Sequence, residues 1–231
     1  MGRLLFLSAL RPDLQFAVGQ LSRHVARPTV SDRVALKRRV RLLTGTRDMV
    51  ATLFPKGRLA LTASADSDWA GIPDRRSVSG GVLLLAGCLV LSWSRTQNAY
   101  ALSSCEAELY AMGSAAVEAL GAQAFLEKQG LVKEPPVIFG DSSSALRLAS
   151  RRGSGNMRHI EVRLSALQQW RADGRLRLLK ISGCDNIADV LTKHVTRAVW
   201  QHLCEGLGLV LAHIGVSVSR RQRRESRKAN A

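Results

Sequence analysis

The stretch Ala101–Met112, "ALSSCEAELYAM", predicts the start of a helix that carries two glutamates among apolar residues. On a helix, Glu106 and Glu108 point in different directions. Ser103 and Glu106 have the spacing of a capping box, in which the serine caps the helix and the glutamate accepts the serine's backbone amide. Glu108 instead lies on the stripe of small and apolar residues that continues through Met112. A carboxylate there is costly unless it is paired or binds a cation, although a partly exposed glutamate favoured by the helix dipole is the alternative.

The sequence on both sides of this helix alternates between strand and helix patterns. Upstream, "LALTASAD" (59–66) and two apolar runs separated at Gly87-Cys88 predict a three-stranded antiparallel meander. Downstream, "PPVIFGD" (135–141) predicts a strand of the fully apolar kind that is buried in parallel sheets, and "RLRLLKIS" (175–182) predicts one more strand. Helices are predicted at about 13–26, 31–43, 104–129, 142–150, 158–172, 186–193 and 196–207. This order indicates an α/β fold with a mixed sheet.

Three further acids occupy positions where an α/β sheet gathers ligands. Asp66 ends the first strand of the meander and Asp141 ends the downstream strand. Asp189 lies inside an apolar helical run, where the alternative is an exposed aspartate paired with Lys193 four residues later. Asp185 is predicted to be the N-terminal cap of that helix.

The positive charge is concentrated at the two ends of the chain. The formal net charge is +16, and residues 1–50 hold ten Lys/Arg against three Asp/Glu. Residues 212–231 hold six against one, whereas the middle is nearly balanced. Such basic flanks favour a polyanionic partner, either nucleic acid or an acidic membrane surface.

The remaining composition favours an intracellular protein that does not enter a membrane. The four cysteines are far apart with no C-x-x-C pair, which indicates reduced thiols rather than a disulfide framework. The longest apolar run, residues 82–91, is about half the length that a membrane helix requires. The first ten residues lack a signal-peptide cleavage site. Whether the location is cytoplasmic or nuclear is left open.

Five motifs resemble the ribonuclease H domain of copia-type (LTR) retrotransposon Pol polyproteins, in that family's order. They are "ASADSDWAGIPDRRSVSGGVLLL" (63–85), "LSWSRTQNAYALSSCEAELYAM" (91–112), "VIFGDSSSALRLA" (137–149), "MRHIEVR" (157–163) and "IADVLTK" (187–193). The stretch "GRLLFLSALRPDLQFAVGQLSR" (2–23) resembles the segment that joins this domain to the reverse transcriptase. The resemblance therefore covers about residues 2–209.

The resemblance implies a ribonuclease H-like fold, with a mixed five-stranded sheet flanked by helices. It also implies three regions: a helical, basic remnant of the joining segment (1–55), the ribonuclease H-like domain (56–211) and a basic disordered tail (212–231). On this interpretation the chain is a fragment of a larger Pol polyprotein, and the missing reverse transcriptase is a candidate partner.

The same resemblance implies the chemistry. The metal ligands and catalytic residues would be Asp66, Glu108, Asp141 and Asp189, which would hold two Mg²⁺ ions, with Mn²⁺ as a substitute. Two such ions would activate water for endonucleolytic hydrolysis of the RNA strand of RNA/DNA hybrids during reverse transcription. The basic flanks would contact other nucleic acid.

Substrate contacts are assigned by the same motifs. The candidates are Ser142, Arg158 and His159. Ser142 stands where the family more often has an amide, so the contact that an amide would make is in doubt. A capping or apolar-side role is an equal alternative for His159.

Two other functions compete with the nuclease. A catalytically silent retroelement remnant would act only as a basic nucleic-acid-binding module, although the four intact acids argue against it. A transposase or integrase of the same fold would place its glutamate after the second aspartate, whereas Glu108 precedes Asp141.

Overall fold

The structure is a computed structural model that describes residues 1–151 and 161–212. Within these residues the α-helices are α1 (Gly2–Leu10), α2 (Gln15–Ser22), α3 (Val30–Gly45), α4 (Ser104–Lys128), α5 (Ser143–Ser150), α6 (Glu161–Ala172) and α7 (Arg197–Gly206). The strands are β1 (Met49–Ala51), β2 (Leu61–Asp68), β3 (Val78–Leu85), β4 (Cys88–Thr96), β5 (Val137–Gly140), β6 (Arg177–Lys180) and β7 (Leu209–Leu211). None of the described helices is both long and apolar enough to cross a bilayer.

The main sheet has five strands in the order β4-β3-β2-β5-β6. β2, β3 and β4 form an antiparallel meander, while β5 and β6 run parallel to β2. The predicted mixed five-stranded sheet flanked by helices is therefore confirmed. The turn between β3 and β4 lies at Ala86-Gly87, one residue before the predicted step, because both residues adopt the positive φ angles that a tight hairpin requires.

The main hydrophobic core lies between the sheet and the helices that cover it. α4 packs on β2 and β3 through its stripe of small residues, and Ala115 and Ala119 are fully buried. Small side chains let the helix approach the sheet closely, so the first turns of α4 lie near the end of β2. Glu108 is only 8% exposed at the start of this stripe, which confirms the predicted inward direction.

The basic N-terminal segment packs against the rest of the chain. A buried ion pair joins Arg11 to Asp13 at 2.8 Å, and the Arg11 guanidinium also donates to the carbonyl of Thr46. β1 pairs antiparallel with β7, with Met49 opposite Leu211. The first of the three predicted regions (1–55) thus shares a small sheet with the end of the second (56–211). Of the third region, only residue 212 lies within the described residues.

Two predicted helix caps differ from the structure. The Ser103 hydroxyl accepts the Glu106 amide at 3.2 Å, as expected, but the Glu106 carboxylate accepts the amide of Leu102 rather than that of Ser103. Near Asp189, Asn186 and not Asp185 is the cap, because its side chain accepts the amide of Ala188. The predicted helix at 186–193 is a 3₁₀ helix, Ile187–Leu191.

Candidate metal centre

The candidate centre lies at one edge of the sheet, where two parallel strands end side by side. Asp66 is near the end of β2, and Asp141 directly follows β5, the parallel neighbour of β2. The carboxyl ends of parallel neighbours meet at the same edge, so the two side chains are brought together. Glu108 reaches the same edge from the first turns of α4.

Three of the four predicted ligands share one small space. One carboxylate oxygen from each of Asp66, Glu108 and Asp141 lies within 4.8 Å of the other two. Asp66 is only 2% exposed, whereas Asp141 is half-buried. Three carboxylates therefore converge on a largely buried space, with Asp141 the most exposed of the three.

The fourth predicted ligand, Asp189, is joined to this group by a lysine. The ammonium Nζ of Lys193 is 2.9 Å from Asp189 Oδ2 and 3.6 Å from Asp66 Oδ2. The alternative pairing of Asp189 with Lys193 is thus present, but the carboxylate is buried rather than exposed. Asp66 Oδ2 also accepts a hydrogen bond from the Thr192 hydroxyl.

Two carboxylate oxygens of this group are buried and find no hydrogen-bond donor among the described residues. They are Glu108 Oε2 and Asp189 Oδ1. The other oxygen of Glu108 accepts the Ser67 amide at 3.3 Å. A buried carboxylate oxygen without a donor is costly, and a cation is one of the few partners that removes this cost.

Burial and mutual repulsion make these carboxyl groups hard to ionise. Burial, followed by the negative charge of Asp189, raises the pKa of Asp66 to about 7, although Lys193 and Thr192 favour the ionised form. Burial also raises the pKa of Glu108 to about 8, with repulsion from Asp66 and Asp141 adding to it. In the absence of a cation, the centre therefore holds protons near neutral pH.

The donor set fits a hard divalent cation. All the donors are carboxylate oxygens, which is the ligation that Mg²⁺ and Mn²⁺ prefer. Asp66, Glu108 and Asp141 provide three converging oxygens, and the two buried oxygens without donors supply a reason for a cation to bind. The residues present are therefore suitable ligands for the metal that the sequence motifs implied.

Of the three predicted substrate contacts, only Ser142 lies within the described residues. The Ser142 hydroxyl caps α5 by accepting the Ala145 amide at 3.3 Å, next to Asp141. Arg158 and His159 lie outside the described residues, so their predicted roles stay predictions.

Two residues that support the centre were not singled out by sequence reasoning. The Asn186 side chain donates to the carbonyl of Ala65 at 3.0 Å, which ties the 3₁₀ helix of Asp189 to β2. Gly80 of β3 lies under the same helix, and a Cβ there would come within 2.9 Å of the carbonyl oxygen of Ala188. The "SGG" of residues 79–81 was the available signal, since a glycine within a strand often marks a close approach of backbones.

The curated proteins that match the chain along nine-tenths of its length include transposon polyproteins. It is 33% identical over 213 residues to the retrovirus-related Pol polyprotein from transposon RE2 of Arabidopsis thaliana, covering 91% of this chain and 15% of that protein. It is 34% identical over 210 residues to the retrovirus-related Pol polyprotein from transposon TNT 1-94 of Nicotiana tabacum, covering 90% and 16%. The chain thus spans about one sixth of the length of these relatives. A shorter relative, the secreted RxLR effector protein 161 of Plasmopara viticola, is 38% identical over 122 residues, covering 52% of this chain and 86% of that protein.

Solved structures with a similar fold are ribonucleases H. LC11-RNase H1, isolated from compost, has a TM-score of 0.46 and 17% identity, covering 58% of this chain and 93% of that one. RNase H1 of Halobacterium salinarum has a TM-score of 0.40 and 23% identity, covering 59% and 95%. No protein-family model matches the chain. Along nine-tenths of its length the chain is therefore homologous to part of the retrovirus-related Pol polyproteins of copia-type transposons, and it has a ribonuclease H-like fold.

Proposed function

We propose that this chain is a metal-dependent endonuclease that hydrolyses the RNA strand of RNA/DNA hybrids during retrotransposon reverse transcription. The observation that carries the proposal is the convergence of carboxylate oxygens from Asp66, Glu108 and Asp141 within 4.8 Å. Similarity to retrovirus-related Pol polyproteins supports the substrate class, because such elements copy RNA into DNA. The surplus of positive charge suits a polyanionic substrate.

The proposed metal sites follow from the positions of the carboxylates. Asp66, Glu108 and Asp141 would hold one ion, and Asp189 together with Asp66 would hold a second. When bound, Mg²⁺ or Mn²⁺ supplies positive charge that lowers the pKa of water and stabilises charge developing on the phosphodiester. None of the four carboxylates is required as a covalent nucleophile. Water would attack the phosphorus and the 3′-oxygen would leave, so the products should carry a 5′-phosphate and a 3′-hydroxyl.

The chain's own residues orient these ligands and govern their protons. The Ser67 amide holds Glu108 Oε1, and the Thr192 hydroxyl holds Asp66 Oδ2. The carboxyl groups of Glu108 and Asp66, which hold protons near neutral pH, would release them when a cation binds. Before a metal ion binds, the ion pair with Lys193 holds the Asp189 carboxylate in position and balances its negative charge.

Cleavage of an end-labelled RNA/DNA hybrid by the purified chain at low salt, with Mg²⁺ or Mn²⁺, tests the proposal. Hybrid-specific cleavage that EDTA abolishes is expected, with no cleavage of single-stranded RNA or duplex DNA. Asp141→Asn should reduce the rate at least about a hundredfold, because metal-derived charge stabilisation is worth several kcal/mol and each 1.4 kcal/mol is tenfold.

Asp185→Asn is the matched control for that variant. Asp185 is an exposed acid four residues before Asp189, and its carboxylate lies 3.4 Å from His202 Nε2. It should keep the wild-type rate. Salt-sensitive hybrid binding without any cleavage would contradict the nuclease and favour the silent binding module.

A further inference from the structure

A basic cleft lies beside the candidate metal centre, between the N-terminal helices and the segment that follows Asp189. Its volume is about 800 Å³. One wall is formed by α2 and α3, and the opposite wall by residues 193–201. We call it the interhelical cleft.

The walls of the interhelical cleft carry an excess of positive charge. Arg38, Arg39 and Arg41 line it from α3, and Lys193 and Arg197 line it from the other side. These five cations come from segments that are far apart in sequence.

The two acids that line the cleft are already paired. Asp13 is held by Arg11 at 2.8 Å, and Asp32 lies 2.7 Å from His24 Nδ1 while capping α3 with Thr29. Among the described residues, no acid of the cleft lies within ion-pair distance of its arginines, although the charge of Asp13 acts to raise the pKa of Arg39. This arrangement leaves room for an external anion.

The arginines of α3 are close enough to disfavour one another. Burial, followed by the neighbouring charge of Arg38, lowers the pKa of Arg39. Arg39 Nη2 lies 3.4 Å from His194 Nδ1, and burial together with Arg39 and Arg38 lowers the pKa of that histidine, so the imidazole is neutral and can accept. Bound anions would relieve the repulsion between the arginines.

Lys193 connects the interhelical cleft to the candidate metal centre. It lines the cleft, and its ammonium group contacts both Asp189 and Asp66. A polyanion bound at the centre would therefore lie close to the basic walls. We infer that the interhelical cleft binds the sugar–phosphate backbone of the nucleic acid whose neighbouring phosphodiester occupies the metal centre.

This inference rests on the proposed function for the identity of the substrate. Charge argues against the chain's own C-terminal tail as the occupant. The chain reaches the cleft at Leu211, but residues 212–231 hold six Lys/Arg against one acid and would be repelled by the arginines. An acidic polypeptide is the other occupant that the charge would accept, and the test below separates it from nucleic acid.

Helix α3 provides a matched pair of double variants. Arg38 and Arg41 are exposed and line the cleft, whereas Arg33 and Lys37 are equally exposed on the same helix and do not line it. Arg38→Gln with Arg41→Gln, and Arg33→Gln with Lys37→Gln, each remove two positive charges. Hybrid binding is measured by fluorescence anisotropy in EDTA over a range of salt concentrations.

The cleft variant should weaken binding and reduce the slope of log K against log[salt] by about two units, since each phosphate contact contributes about 0.9. The α3 control should change the slope less than the cleft variant does, because Arg33 and Lys37 do not line the cleft. On the opposite wall, Arg197→Gln should reduce the slope by about one unit. The control for this variant is Arg175→Gln. Arg175 precedes β6, at the other end of the sheet, so its substitution should leave the slope unchanged.

Cleavage measured in parallel separates the failure of this inference from the failure of the proposed function. Active wild-type enzyme whose cleft and control variants bind alike would overturn the cleft alone, and would favour a polypeptide occupant. A chain that binds through the cleft but never cleaves would overturn the nuclease and leave the cleft standing. All five substituted arginines of the test, and Lys37, are exposed, so equal thermal midpoints should verify that each variant folds.

Discussion

The two halves of the candidate metal centre carry their negative charge in different ways. Asp66, Glu108 and Asp141 converge from two strand ends and a helix, and among the described residues no cationic side chain pairs with Glu108 or Asp141. Asp189, by contrast, has its own cation four residues later in Lys193. Glu108 and Asp141 therefore depend on an external cation, whereas Lys193 already partly neutralises Asp189 and Asp66.

This difference should be most visible in catalysis. Glu108→Gln should reduce hybrid cleavage at least about a hundredfold, because it removes a ligand that no cationic side chain neutralises among the described residues. Asp189→Asn should cost less, about tenfold to a hundredfold, since Lys193 still supplies positive charge there. Rates under single-turnover conditions at saturating Mg²⁺ measure both.

Glu127→Gln, an exposed acid at the far end of α4, is the control and should have no effect. A larger loss for Asp189→Asn than for Glu108→Gln would reverse the comparison.

The internal cation should also contribute to stability. Lys193→Met leaves Asp189 buried without its partner, and the free energy of unfolding in EDTA should fall by about 1–2 kcal/mol. This is less than for a fully buried pair because the Lys193 side chain is 42% exposed. Urea unfolding measures the change, and saturating Mn²⁺ should reduce it.

Lys128→Met, an exposed lysine at the end of α4, serves as the control. Unchanged stability of Lys193→Met in EDTA would mean that Lys193 does not stabilise Asp189.

The smallest expected signal is a release of protons. The pKa values of Asp66 and Glu108 are raised to about 7 and about 8, so in the metal-free chain the folded state binds protons that the unfolded state has lost. The stability of the metal-free fold should therefore be highest below the unfolded pKa values near 4 and fall as pH rises towards 8. Saturating Mg²⁺ should flatten this dependence.

Calorimetry in buffers of different ionisation enthalpy should then detect about one proton released per chain when Mn²⁺ binds at pH 7. A binding enthalpy independent of the buffer would show that these carboxyl groups are already ionised.

Much of the fold was accessible from local patterns. The alternating period of residues 59–66 and the apolar run before Asp141 predicted two strands that the structure contains as β2 and β5. Hydrophobic periodicity is a local property, so it can be read from the sequence without knowing which strands and helices pack together. The direction of Glu108 followed from the same kind of pattern on α4.

Errors occurred where neighbouring polar residues compete for the same role. Asp185 and Asn186 can both cap a helix, and the structure selects Asn186, whose amide also donates to the carbonyl of Ala65 on β2. Glu106 accepts the Leu102 amide and the Tyr110 hydroxyl, a choice that depends on how the chain enters α4. Such choices are worth about 1 kcal/mol each and are decided by packing rather than by spacing.

The sequence by itself therefore determined the order of strands and helices, the position of each acid on its element and the excess of positive charge at the ends. Only the tertiary structure decided that three of the acids share 4.8 Å of space, that Lys193 links the fourth to Asp66, and that α3 faces residues 193–201 across a basic cleft. The physical reason is distance along the chain. Periodicity and capping act over a few residues, whereas these contacts join segments between 33 and more than 150 residues apart, and only the packing of the sheet brings them together.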